Sequence, residues 1–127
     1  MSALVLDAGA FVAVERNERR MLARLRVAAA HGVELRTHPL VVAQVWRDHR
    51  GRQVNLARLL NAVDIISIDE TMGRACGALL GKAGMSDPID AAVVVMSHNG
   101  DRIATSDPDD IERLIEAAGR RVTVVPI

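Results

Sequence analysis

A chain of 127 residues, half of them hydrophobic, has the length of one domain and enough apolar surface to bury a core. The longest apolar runs, such as Ala91 to Met96, are too short for a membrane span, no charged-then-apolar leader opens the chain, and a lone Cys76 excludes an internal disulfide, so we expect one cytoplasmic domain over residues 1–127. Sixteen basic against sixteen acidic residues remove the simplest argument for a polyanion partner, and Phe11 and Trp46 are too few rings for a base-stacking platform.

Ala3 to Leu6 reads as a short buried strand, and Ala8 to Glu15 as a helix that starts at its end. Glu18 to His31 is a second helix, with Met21, Leu22, Leu25 and Ala28 recurring at helical spacing and His31-Gly32 as its stop. Val33 to Arg36 is strand two. Thr37 then offers a capping hydroxyl, and Pro39 suits the first turn of a helix running through Val42, Val45 and Trp46 towards His49, with Trp46 as a core or dimer contact. Gln53 to Ala62 is a further helix.

Ile65 to Ile68 reads as strand three, with Asp69 as N-cap of a helix from Glu70 to about Gly81 and a loop from Gly81 to Ser86. Asp87 caps, and Pro88 starts, a helix through Ile89 to His98. Arg102 to Thr105 is strand four, Asp109 to Ala118 a helix capped by Asp109 or Asp110, and Val122 to Val125 strand five. Strands that alternate with helices predict an α/β fold: a parallel sheet of about five strands covered on both faces, because each parallel crossover needs a helix.

Carboxylates recur where these strands end: Asp7 after Leu4-Val5-Leu6 and Asp107 after strand four, while Asp90 lies in the first turn of an apolar helix. In an open parallel sheet the carboxyl ends of the strands face one crevice, so acids far apart in sequence can converge there. Carboxylates brought together repel, and a hard divalent cation with oxygen ligands relieves that repulsion. Asp7, Asp90 and Asp107 are therefore the candidate metal ligands. Basic charge is concentrated early: Glu15 to Arg58 holds ten arginines and four acids. That bias suits phosphate contacts, although Arg16, Arg19, Arg20, Arg24 and Arg26 also fit a merely solvated helix face. The four histidines have no metal-binding spacing, and surface or helix-end roles are expected for them.

Four segments in order, Leu4-Val5-Leu6-Asp7-Ala8, Val42-Ala43-Gln44-Val45-Trp46-Arg47, Asp87-Pro88-Ile89-Asp90-Ala91-Ala92 and Ala104-Thr105-Ser106-Asp107-Pro108-Asp109-Asp110, resemble the PIN-domain ribonucleases, in particular the VapC-type toxins of toxin–antitoxin pairs. The resemblance implies a three-layer α/β/α PIN-like fold, Mg²⁺- or Mn²⁺-dependent cleavage of RNA, a homodimer, and a cognate antitoxin. It implies Asp7, Asp90 and Asp107 as metal ligands, Gln44, Asp87, Thr105 and Asp109 in auxiliary places, and Arg16, Arg19 and Arg47 on the RNA backbone. Two residues depart from the family pattern: Gln44 stands where a Glu is usual, and Gly9 where Ser, Thr or Asn is common. Loss of a carboxylate at Gln44 opens the alternative of a catalytically weakened PIN fold kept as a protein-binding module. A receiver domain expects paired early acids and a Lys at a later strand end; a haloacid-dehalogenase-like phosphatase expects a second Asp at position 9. Neither pattern is met.

Overall fold

The computed structural model describes residues 2–48 and 51–127. Five strands, β1 (Ala3–Leu6), β2 (Glu34–Thr37), β3 (Asp64–Ile65), β4 (Arg102–Thr105) and β5 (Thr123–Pro126), form one all-parallel sheet in the order β3-β2-β1-β4-β5. The seven helices among the described residues are α1 (Ala8–Glu15), α2 (Arg19–Ala30), α3 (Pro39–Val45), α4 (Val54–Asn61), α5 (Glu70–Ala83), α6 (Pro88–Val95) and α7 (Pro108–Ala118).

Strand order decides the layers. From β1 the chain steps outward to β2 and β3, then returns across the sheet to β4 and β5. Right-handed crossovers in opposite directions place their helices on opposite faces. Accordingly α1 packs with α2, α3 and α4, while α5, α6 and α7 pack with one another. The core lies between these layers, around Leu6, Phe11, Met21, Leu56, Ile103 and Leu114, all fully buried. Val5 pairs in register with Ile103, and Leu6 with Ala104, so the tips of β1 and β4 end side by side. This is where the winding reverses.

Several boundaries differ from the sequence reading, each for a local reason. Strand three is Asp64–Ile65 rather than Ile65 to Ile68, an edge strand pinned through Ile66 N–H to the Thr37 carbonyl. Helix α5 runs on to Ala83 and stops only where Gly84 takes φ 66°, a left-handed conformation open to glycine. Helix α6 ends at Val95 rather than His98. Helix α3 stops at Val45 rather than running through Trp46 towards His49, because Trp46 turns extended (φ −78°, ψ 133°) and the chain is not helical up to Asp48; His49 itself lies outside the described residues. Trp46 is 37% exposed, so of the expected core or dimer contact the core is excluded. Cys76 is buried on α5, as a small core residue should be. No helix among the described residues is long and apolar enough to cross a membrane.

Candidate metal centre

Asp7 leaves β1 and becomes the N-cap of α1. Its Oδ1 accepts from the Ala8 N–H at 2.8 Å, and its Oδ2 accepts from the Thr105 hydroxyl, also at 2.8 Å. Thr105 Oγ1 in turn accepts from the Asp107 N–H at 3.0 Å. One buried hydroxyl thus ties the tip of β1 to the tip of β4. Both Asp7 and Thr105 are buried, and every lone pair so used is held by the fold itself.

Helix α6 brings Asp90. Asp87 caps that helix, its Oδ1 accepting from Ile89 N–H at 2.9 Å and more weakly from Asp90 N–H at 3.4 Å, and Pro88 occupies the first turn. The turn is held from a second side by His38. Nδ1 of His38 accepts from Leu40 N–H at 3.2 Å, which puts the ring proton on Nε2, and Nε2 donates to the Ile89 carbonyl at 3.0 Å. His38 is fully buried, and that burial, partly opposed by the Ile89 bond and by Asp7, lowers its pKa and keeps it neutral. His38 thus has the helix-end role expected for it, buried rather than at the surface, whereas the capping assignment of Thr37 is corrected. The side chain of His38 caps α3, while Thr37 Oγ1 donates to the Leu6 carbonyl at 2.8 Å.

Helix α7 begins at Pro108, with Asp107 at its N-cap position. No side chain makes the capping bond, so neither Asp109 nor Asp110 serves as the cap expected for this helix. Asp110 faces the crevice instead: Asp90, Asp107 and Asp110 each offer an oxygen such that all three lie within 4.8 Å of one another. Asp110 was hidden among three neighbouring acids. The available signal was its position three residues after Asp107, on the same side of the first turn.

The electrostatics bear the mark of this convergence. Burial pushes the Asp90 carboxyl up to about 7, with further repulsion from Asp87, Asp7, Asp107 and Asp110. Asp107 is also raised, by desolvation first and then by Asp110, Asp7, Asp87 and Asp109. Asp7 lies outside the 4.8 Å group but acts on both of these acids. A set of converging oxygens with such mutual repulsion is the donor chemistry a hard divalent cation takes. The residues present fit such an ion.

Other residues named from sequence lie further out. Gln44 is exposed on α3, Asp109 is exposed on α7, and Arg16 and Arg19 are exposed at the α1–α2 junction. Arg47 is exposed too, with Nη1 donating to the Ala43 and Trp46 carbonyls at 3.0 and 2.8 Å. Arg24 is tied to the end of β5 through the Pro126 carbonyl. Gln53, which sequence reading placed inside a helix, is a buried clasp: its amide accepts from Arg47 N–H and donates to the Val45 carbonyl, both at 2.9 Å.

No family model matches the sequence, and no curated protein matches it. Among solved structures the chain is similar to one from the crystal structure of VapBC2 from Rickettsia felis bound to a DNA fragment from their promoter, at 14% identity and a TM-score of 0.73. The likeness covers 98% of each chain. The fold is PIN-like. In this PIN-like arrangement the acids of β1, α6, β4 and α7 gather where the strand order reverses, the place where open α/β sheets bind ligands.

Proposed function

We propose that this protein is a Mg²⁺- or Mn²⁺-dependent endoribonuclease, the toxin component of a VapBC-type toxin–antitoxin pair, acting in the cytoplasm. The observation that carries the reading is the meeting of Asp90 with Asp107 and Asp110 at the switch point of the sheet, beside Asp7. Asp90, Asp107 and Asp110 would hold the cation, and Asp7, bonded to Thr105, would orient the β1 side of the crevice. When bound, a divalent cation supplies Lewis-acid polarisation of a phosphate oxygen and charge stabilisation of an in-line displacement. The protein's own part is positional. His38 and Asp87 hold the turn that carries Asp90, and Thr105 holds Asp107 against Asp7.

Exposed Arg16, Arg19 and Arg47 would steer and seat the RNA backbone without reading sequence. Similarity of fold to a chain of VapBC2 supports an antitoxin partner, and a two-fold homodimer is the assembly we propose. We favour the active enzyme over a weakened binding module because Asp110 adds a carboxylate to the cluster, offsetting the charge that Gln44 lacks. The test is cleavage of single-stranded RNA by purified protein with Mn²⁺. We expect cleavage that is abolished by chelation and by Asp90→Asn or Asp107→Asn; cleavage unaltered in both variants would refute the assignment. Light scattering with and without the product of the adjacent gene tests the assembly, and a monomer indifferent to that product would refute it.

A further inference from the structure

We infer that Ser106, at the tip of β4, donates the hydroxyl that holds a phosphate oxygen of the substrate, in space left open by the missing side chain of Gly9. The inference rests on the ribonuclease reading above. Gly9 lies in the first turn of α1, two residues after Asp7, with ordinary helical backbone. There glycine brings no conformational advantage and is a poorer helix former than alanine. What it brings is room: a Cβ on residue 9 would stand 2.6 Å from Ser106 Oγ and 2.8 Å from Ser106 Cβ. Among the described residues every other glycine has open space at that point, so this close fit is particular to the crevice between β1 and β4. Ser106 closes over the start of α1 because residue 9 has no side chain.

The surroundings say what such a hydroxyl is for. Asp7, Asp90, Asp107 and Asp110 are acceptors when ionised and offer a phosphate oxygen no hydrogen bond. The Thr105 hydroxyl already donates to Asp7. Ser106 stands between Thr105 and Asp107 in the chain, is exposed, and carries a neutral donor. A phosphodiester drawn to a cation held by Asp107 and its partners would meet a donor one residue away in the chain, and a bond to an anionic oxygen is stronger than one between neutral groups.

The experiment compares wild type, Ser106→Ala, Ser106→Thr, Gly9→Ser and the double variant Gly9→Ser with Ser106→Gly, by steady-state cleavage of a short fluorogenic single-stranded RNA, Mn²⁺ calorimetry and thermal melting. For Ser106→Ala we expect KM to rise about tenfold, with kcat and Mn²⁺ affinity unchanged, and Ser106→Thr to restore KM. Gly9→Ser alone should lower the melting temperature through collision of the two side chains. The double variant, with its hydroxyl supplied from α1, should regain both melting temperature and KM. A wild-type KM in Ser106→Ala, or a loss of Mn²⁺ affinity in that variant, overturns the role of Ser106 while leaving the ribonuclease reading intact. Wild-type protein that leaves the RNA uncut with Mn²⁺ overturns both.

Discussion

Thr105 Oγ1 donates to Asp7 Oδ2 at 2.8 Å while accepting from the Asp107 N–H, so one buried hydroxyl joins the ends of two neighbouring parallel strands. Valine has nearly the same shape without the hydroxyl, and would leave a carboxylate oxygen and an N–H without their partner. We expect Thr105→Val to cost about 1–3 kcal/mol in urea denaturation and to weaken Mn²⁺ binding, with Thr105→Ser close to wild type. Equal stability of all three would remove Thr105 from the organisation of the site.

Asp90 gives the metal-free protein an unusual response to pH. Its carboxyl is raised from 3.8 to about 7, so between these values the folded state holds a proton that the unfolded chain has released. The unfolded chain then binds fewer protons, and stability falls as pH rises through that interval, levelling off above it. The loss is on the order of a few kcal/mol. Scanning calorimetry in chelator should show a melting temperature that drops from pH 5 to pH 8, a flatter profile for Asp90→Asn, and recovery on adding Mn²⁺ at pH 8. A melting temperature that climbs over this range in both proteins would contradict the repulsion described.

Asp109 and Asp110 are adjacent in the chain but unlike in place. Asp110 shares the cluster with Asp90 and Asp107, whereas Asp109 is exposed outside it. Calorimetric titration with Mn²⁺ should show about a tenfold or greater loss of affinity for Asp110→Asn, since oxygen sites are tuned by the number of charges they carry. Asp109→Asn should bind nearly as wild type does. Reversal of that order would mean that Asp109, not Asp110, faces the ion.

His38 joins α3 to the turn that carries Asp90. Its truncation removes a cap, takes the side-chain donor from the Ile89 carbonyl and opens a cavity in a buried region. His38→Ala should therefore destabilise the protein by about 2–5 kcal/mol in urea titration, and reduce Mn²⁺ affinity along with it. A variant that melts like the wild type would show that the Ile89 turn is held by Asp87 alone.

Much of the frame was legible in the residues themselves. β1, α1 and β4 have the limits expected from the apolar runs and from the acids that follow them, and Asp69 and Asp87 cap the helices they precede. Failures came where two local signals competed. Gly81 suggested a helix end, yet the helix runs on to Gly84, the glycine whose φ is positive. Thr37 offered a capping hydroxyl, but its neighbour Leu6 took it, and the ring of His38 caps instead.

Local chemistry therefore specified the α/β alternation and named Asp7, Asp90 and Asp107 as acids worth following, because strand ends and helix starts are written in short-range patterns. It left open which of the acids after β4 turns inward and whether a histidine is buried. Those answers depend on the register of β1 against β4 and on the rotation of α6 and α7 about their axes. Register and rotation are set by packing between segments some hundred residues apart, which no local window contains. Only in the folded chain do Asp110 join the cluster and Ser106 come to rest against Gly9.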